Sequence, residues 1–327
     1  MRVLVTGGAG FIGSHLVGSL LERGDAVRVL DNFATGRRAN VAPFADDVEL
    51  IEGDIRSFER VTHAVDGCDA ILHQAALPSV PRSVQDPLTS NETNVTGTLN
   101  VLLAARDHNV GRVVYASSSS VYGPGADGGL AAKHERMPAL PISPYATGKL
   151  ACEGYARSFH RVYGLQTVAL RYFNVFGPGQ DPDSEYAAVI PRFIGSLLEE
   201  RAPTVFGDGT QSRDFTFVGN VVAANLLALE ATDVCGQAFN IACGERVTLN
   251  QLLDVLRELI GTDVEAIHDQ PRAGEIEHSL ADLTAAREVL GYAPDVSLRD
   301  GLERTVERFR ALAGSESAPV AVRAGWA

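Results

Sequence analysis

The sequence predicts an α/β protein: a doubly wound parallel sheet followed by a smaller C-terminal α/β domain. Three observations predict it. Short β-branched runs alternate with amphipathic helical segments through the first half of the chain, which is the pattern of βαβ units on a parallel sheet. The first run opens into a glycine-rich turn and then a helical segment. Near Gly177 the texture changes, as Gly177-Pro178-Gly179 and Pro182 break the alternation. At 327 residues the chain has room for one large domain or two.

In order along the chain, strands are expected at Arg2–Thr6, Ala26–Leu30, Val48–Ile51, Ala70–His73, Arg112–Ala116 and Thr167–Arg171. Helices are expected between them at Phe11–Arg23, Ser57–Val65, Asn91–His108 and Tyr145–Tyr163. Neighbouring parallel strands need right-handed crossovers, so the sheet is open and doubly wound. Past the break, Val189–Leu198 and Val218–Leu229 read as helices, and Thr248–Ile260 starts with a Thr-x-x-Gln capping box, Thr248 and Gln251. The expected division is 1–176 for the sheet domain, which strands from the C-terminal half can join, and 177–312 mainly for a substrate domain. Residues 313–327, with Gly, Ser, Ala and Pro but little periodicity, are expected to form a flexible tail. No internal repeat is visible.

Composition excludes several classes. Hydrophobic residues make up 45% and charged residues 21% of the chain, and mean hydropathy is +0.02. That is neither a disordered nor a collagen-like chain. No run of about 18 apolar residues is present to span a membrane. Lys and Arg number 28 against 41 Asp and Glu, a net charge of −13. With no Lys/Arg run, nucleic acid is excluded as a partner, and any bound anion must be held by a few placed groups. Four scattered cysteines form neither a disulfide framework nor a zinc motif, and no metal site is expected. Met1-Arg2-Val3-Leu4-Val5 runs straight into a strand without a signal-peptide apolar stretch, so a reducing cytoplasm is the expected location.

The glycine turn reads Gly7-Gly8-Ala9-Gly10-Phe11-Ile12-Gly13, and Gly8, Gly10 and Gly13 satisfy G-x-G-x-x-G between a strand and a helix. Glycines let the backbone turn tightly against a pyrophosphate, and the helix N-terminus offers free N–H groups and a positive dipole end. Asp31 follows at the end of the second strand, 18 residues past Gly13. A carboxylate there accepts from a ribose 2′-hydroxyl and repels a 2′-phosphate, which favours NAD over NADP. Arg37 and Arg38, a few residues on, temper that preference. Asp54-Ile55, after the third strand, falls where an adenine would lie, although alone the pair also fits a strand-ending turn.

Tyr145-Ala146-Thr147-Gly148-Lys149 opens a helix after Ser143-Pro144. The i,i+4 spacing puts the phenol and the ammonium on one face. A tyrosine near pKa 10 is a poor base, and a nearby cation is expected to lower that value. Such a pair can move a proton at a sugar hydroxyl while a nicotinamide exchanges hydride. Alone it also fits an exposed helical Tyr and Lys. Ser117-Ser118-Ser119-Ser120 lies at the carboxyl end of an expected strand, the ligand-binding edge of doubly wound sheets.

Taken together, these motifs resemble the extended short-chain dehydrogenase/reductase family, and within it the nucleotide-sugar 4-epimerases of the UDP-glucose and UDP-N-acetylglucosamine type. The resemblance covers about residues 1–312. It rests on Thr6–Gly13, His73-Gln74-Ala75-Ala76, Asn94-Val95-Thr96-Gly97-Thr98, Ser117–Gly123, Tyr145–Lys149 and Arg171-Tyr172-Phe173-Asn174-Val175-Phe176-Gly177-Pro178. It implies a Rossmann-like fold, bound NAD, a UDP-sugar substrate and a homodimer in which the Asn91–His108 and Tyr145–Tyr163 helices pack against a second copy.

By the resemblance, Tyr145 is the catalytic acid/base, Lys149 holds the nicotinamide ribose, and Ser118 bonds the sugar O4, with Ser119 and Ser120 as substitutes. On the cofactor side it implies Gly7, Gly10, Phe11, Ile12, Gly13, Asp31, Asn32, Asp54, Ile55, Gln74, Ala75, Ala76, Asn94 and Tyr172. On the substrate side it implies Ser79 and Ser119, Asn174 at the diphosphate, Val189 and Phe206 flanking the uracil, Arg213 and Arg272 clamping the diphosphate, Glu275 at the uridine ribose, and Ser279 near the sugar. Two guanidinium forks suit a diphosphate inside an acidic protein.

Relatives that eliminate or decarboxylate carry a carboxylate near the serine position, whereas this chain has Ser118-Ser119-Ser120-Val121-Tyr122. Plain 4-epimerisation through a 4-keto sugar is therefore expected. The alternatives are a UDP-glucuronate 4-epimerase, or a dehydratase or decarboxylase of the family. A simple alcohol dehydrogenase would not need the arginine clamp, and a non-enzymatic NAD sensor would lack Tyr145 or Lys149. Leu77–Ser83 is similar to the subgroup acting on UDP-N-acetylhexosamines, although Pro78 departs from it. Ser279 stands where glucose-restricted relatives place a tyrosine, which leaves volume for a 2-acetamido group.

Overall fold

The computed structural model describes residues 1–125, 128–181, 188–271 and 276–313. Seven strands form one sheet: β1 (Arg2–Thr6), β2 (Ala26–Asp31), β3 (Val48–Glu52), β4 (Ala70–His73), β5 (Arg112–Ser118), β6 (Gln166–Tyr172) and β7 (Gln237–Ile241). Their order is β7-β6-β5-β4-β1-β2-β3, and every pairing is parallel. The order reverses between β1 and β4, and a crevice opens at the carboxyl ends of strands at such a switch point.

All six expected strands are present. The seventh, β7, is an addition to them: Gln-Ala-Phe-Asn-Ile is short, with a polar residue near its end, yet it pairs with β6 from Gln237↔Val168 to Ile241↔Tyr172.

Both faces of the sheet are covered, which is why its strands are apolar throughout rather than alternating. Val3 and Val5 of β1 point into one core with Val29, Leu72, Val114 and Val168. Leu4 points into the other with Leu30, Ile71 and Val113. On the first face lie α1 (Phe11–Glu22) and, later in the chain, Val218–Glu230. On the second lie α2 (Phe58–Val65) and α3 (Gly97–Asp107).

The expected Asn91–His108 helix is not continuous. A helical turn at Pro87–Asn91 runs into a wider π-turn at Glu92–Thr96 before α3 begins. Side chains intrude at that turn: Thr98 Oγ1 and Cys152 Sγ both donate to the Asn94 carbonyl.

Helix α4 (Pro144–Tyr163) is punctuated as its sequence dictates. The Ser143 hydroxyl accepts from Ala146 N–H, Pro144 takes the first position, and Gly164 ends it at φ +73°. A third core gathers α5 (Val189–Leu198), α6 (Val218–Glu230), α7 (Leu249–Ile260) and, beyond a short helix α8 (Thr284–Leu290), α9 (Leu298–Ala313). The Thr248–Gln251 capping box at α7 is formed with both of its bonds. Among the described residues, no helix is long and apolar enough to cross a membrane. The expected loose tail falls beyond residue 313, outside the described residues.

Candidate active site

The turn after β1 is shaped by what cannot fit in it. Gly7 sits at φ +71°, and a Cβ there would lie 2.7 Å from Ala75 N. A Cβ on Gly13 would lie 2.1 Å from the Gly7 carbonyl, and one on Gly10 3.1 Å from it. Gly8 instead lets the turn pack on Val29 of β2. Gly10 is the N-cap residue of α1 and supplies no side chain to its first N–H groups. A tight backbone cradle with free amide donors and a dipole end fits a pyrophosphate, so the residues present suit a dinucleotide. Phe11 and Ile12 start α1, and Phe11 lies edge-on to His15, whose Nε2 is 2.8 Å from Pro178 O. That contact ties the cradle helix to the loop after β6.

Beside the cradle, Asp31 accepts from Ala9 N–H at 2.9 Å and Phe33 N–H at 2.8 Å. Burial pushes its carboxyl up, against these two donors. Asn32 donates to Asp54, and Arg56 holds the Asp54 carboxyl down at about 2. Ile55 is buried against Gly97. Ala75 walls the cradle and donates to Thr6 Oγ1, with half-buried Gln74 and Ala76 on either side.

Under that wall, Thr6, His73 and Thr98 form one chain, with contacts of 2.7 and 2.9 Å. Thr98 donates onward to Asn94 O, so His73 Nε2 carries the proton and Nδ1 accepts from Thr6. Asn94 spends its amide on both backbone groups of Leu77, which fixes the loop after β4. The Tyr172 hydroxyl is engaged by Gln74 and Asn225.

The residues expected to transfer the proton meet at the start of α4. Tyr145 N–H donates to Ser83 Oγ, and the Tyr145 phenol faces Ser118. Ser118 Oγ accepts from the Ser120 hydroxyl at 2.9 Å and from Ser120 N–H at 3.2 Å. One turn along the helix, buried Lys149 donates to Ala116 O at 2.7 Å and lies 4.9 Å from the Tyr115 ring centre and 5.8 Å from that of Tyr145.

The expected lowering of the tyrosine is corrected by this geometry. Burial pushes the Tyr145 phenol up and Ser118 offsets part of that, while the Lys149 ammonium is turned toward Ala116 and Tyr115. Burial brings Lys149 itself down to about 8.

A cleft of about 280 Å³ opens past β6 and brings four predicted substrate residues together: Asn174, Val189, Phe206 and Arg213. Asn174 adopts φ +30° and donates to Asp214 O. Arg213 is braced by Ser212 O and Glu277 O. Ser279 is buried and donates from its backbone to Ser212 O, but it does not line this cleft. Ser79 caps a short helix by accepting from Arg82 N–H, and Ser119 starts the turn after β5. Arg272 and Glu275 lie outside the described residues.

Two features of the site were not read from the sequence. Asp214, wholly buried, accepts from Cys243, Gly244 and Ala281 N–H groups, and its backbone carbonyl accepts from Asn174 of the cleft. Glu153 pairs with Arg171 through bonds of 2.9 and 2.7 Å and accepts from Ser117, while Arg171 reaches Tyr122 and Tyr122 reaches Asn240 of β7. Glu153 does follow Lys149 at i,i+4, the one pattern that could have pointed to it.

Residues 3–242 match the family described as NAD dependent epimerase/dehydratase. The chain is 40% identical over 315 residues to a UDP-glucose 4-epimerase of Mycolicibacterium smegmatis, covering 95% of this chain and 99% of the relative. The solved UDP-N-acetylglucosamine 4-epimerase of Methanobrevibacter ruminantium, in complex with UDP-N-acetylmuramic acid, superposes with a TM-score of 0.90 at 38% identity, covering 95% and 98%. The UDP-glucose 4-epimerase of Thermus thermophilus, in complex with NAD, superposes with a TM-score of 0.86 at 39% identity, covering 95% and 99%. With its glycine cradle, its Ser–Tyr–Lys corner and likeness over nearly its whole length, the chain belongs to the NAD-dependent epimerase/dehydratase family.

Proposed function

We propose that the protein is an NAD-dependent isomerase that inverts C4 of a UDP-hexose, in the glucose/galactose series, the N-acetylglucosamine/N-acetylgalactosamine series, or both. One observation carries this reading. Ser118, at the end of β5, pairs in register with Tyr172 of β6, and the cleft containing Asn174 and Arg213 opens two residues further on. The residues read as proton-transfer groups and those read as diphosphate-binding groups thus share one edge of the sheet.

Bound NAD supplies a hydride acceptor and donor for the sugar. The chain's own residues do the rest. Arg213 and Asn174 hold the diphosphate, while Val189 and Phe206 offer apolar faces to the base. Tyr145 takes the O4 proton and returns it. Ser118 accepts both Ser120 donors and so keeps its own proton for O4. Because the substrate is anchored at its diphosphate, the hexosyl ring can turn and bring the other face of C4 to the same tyrosine.

The elimination and decarboxylation readings are weaker, because Glu153 is locked to Arg171 and Ser117 and the run after Ser118 carries no carboxylate. NMR of products from UDP-glucose, UDP-N-acetylglucosamine and UDP-glucuronate tests the reading. C4 epimers without net NADH are expected from at least one of the first two. Epimerisation of UDP-glucuronate alone, or a 4-keto-6-deoxy sugar or a pentose product, would replace it.

A homodimer in the cytoplasm is part of the proposal. Tyr155, Val162 and Tyr163 of α4 are 39, 69 and 52% exposed, and Val84 and Leu88 stand out from the adjoining helical turns. Such apolar exposure supports an association surface. Light scattering should give twice the chain mass of 34.8 kDa, and a monomer at micromolar concentration would count against it.

A further inference from the structure

The nucleotide edge of the cradle contains two arginines whose placement raises a selectivity question. Arg37 N–H donates to Ala9 O, and the neighbouring Gly36 lies so close to Asp31 that a Cβ would approach its carboxylate to 2.9 Å. Arg37 therefore springs from the spot where a ribose 2′ position would face Asp31. Arginines near that position are what accommodate a 2′-phosphate. In this fold both guanidinium groups are drawn elsewhere. Arg37 pairs with Asp181, which reaches over from the loop after β6. Arg38 pairs with Glu52 at the end of β3, at 2.5 Å, and stacks 4.1 Å over the Phe33 ring.

We propose that Asp181 and Glu52 are specificity residues for the dinucleotide: by holding Arg37 and Arg38 they deny a 2′-phosphate its cationic partners and reinforce the repulsion from Asp31. The inference rests on the reading of the glycine cradle as the NAD site. It explains how a chain with two arginines beside the ribose position can still select the unphosphorylated cofactor. Asp181 and Arg37 also join the loop after β6 to the loop after β2, and His15 makes a second join from α1 to Pro178 of the same loop. Selectivity is thereby tied to how the substrate-side loop is seated.

The magnitude follows from exposure. The side chains of these pairs are 54 and 32% exposed for Arg37 and Asp181, and 63 and 61% for Arg38 and Glu52. Each exposed pair therefore holds its arginine by at most about five-fold. Releasing both predicts a rise of about 2–25-fold in NADP binding relative to NAD.

The test is competitive loading. Protein is equilibrated with equimolar NAD and NADP, free nucleotide is removed, and the bound pair is quantified by chromatography. Wild type should hold NAD almost alone. The double variant Asp181→Ser with Glu52→Gln should raise the NADP share, and Asp181→Glu should keep the wild-type ratio. Adding Arg37→Ala and Arg38→Ala to the double variant should erase the gain. An unchanged ratio in the double variant, or a gain that survives loss of both arginines, overturns the proposal. Wild type that retains neither dinucleotide would instead overturn the cofactor reading of the cradle and take this inference with it.

Discussion

At the end of β1 the protein builds a ligand cradle from backbone, with three positions where a Cβ would collide and a helix end left uncapped. At the start of α4 it builds a reactive corner from side chains enclosed at a cost: a lysine brought down to about 8, a tyrosine pushed up, and a Glu153–Arg171 pair almost fully buried. The first region is specified by the absence of atoms, so substitution there is a steric question. The second is specified by desolvated groups that each need a partner, so substitution there shows up in rate and in pH dependence.

The largest effect expected from the corner is on rate. Tyr145→Phe removes the proposed proton carrier and leaves the cleft groups in place. The loss should appear in kcat, on the order of 10²–10⁴-fold, with UDP binding by calorimetry nearly unchanged. A variant within a few-fold of wild type would assign the proton to another group and dissolve the contrast between the regions.

Next comes acid stability, which reads the floor of the cradle. His73 is wholly buried between Thr6 and Thr98 and held neutral, its pKa pushed down to about 3 by burial and by Lys149. The unfolded chain binds its proton near 6.5, so this contribution is fully present above pH 6.5 and is lost as pH falls toward 3. The gap corresponds to an upper bound of about 5 kcal/mol. His73→Gln keeps a donor and an acceptor without a titration, and urea midpoints from pH 7 to 4 should lose part of their slope. His15, lowered to about 4, keeps a share. An unaltered slope would mean that the acid sensitivity lies elsewhere.

The corner answers in a different window. Lys149 titrates at about 8 when folded and near 10.5 when unfolded. Between those values the unfolded chain binds more protons, so stability rises with pH from 8 to 10.5, and below 8 the buried ammonium costs up to about 3 kcal/mol. Lys149→Met should flatten that alkaline rise, while the acid limb keeps most of its slope because burial, more than Lys149, holds His73 down. An acid limb that flattened as much as the alkaline one would mean that Lys149, not burial, dominates at His73.

How much of the molecule is legible in the sequence also divides by region. The strand–glycine–helix cradle and Tyr145 with Lys149 are local patterns, each complete within a few residues. Asp214 is not, because its donors come from Cys243, Gly244 and Ala281, across chain separations that no periodicity records. β7 escapes the pattern for the same reason: Asn240 sits in a strand because Tyr122, Lys133 and Asp282 meet its amide. The Glu92–Thr96 π-turn hides inside an unbroken helical pattern, since what widens it is bonding to Thr98 and to Cys152 of another helix. The direction of the phenol's shift runs against the spacing argument because spacing places Lys149 near Tyr145, whereas the fold decides where its ammonium points.

The smallest expected effect resolves the serine run itself. Ser120 gives Ser118 two donors, a hydroxyl at 2.9 Å and an N–H at 3.2 Å. Ser120→Ala keeps the backbone donor and removes the hydroxyl, so Ser118 stays in place but its proton is no longer directed away from Ser120. One net hydrogen bond is worth about 0.5–1.5 kcal/mol, which sets the expected fall in kcat at about 2–10-fold, with KM for the UDP-sugar unchanged because the proposed diphosphate-binding groups are untouched. Ser118→Ala should exceed that loss, and Ser119→Ala should fall short of it, since Ser119 starts the turn without taking part in these bonds. The ranking is the measurement. If Ser119→Ala proved the most damaging of the three, the hydroxyl that meets the sugar would be Ser119, and the Ser120–Ser118 pair would be a strand-end brace with no part in proton transfer.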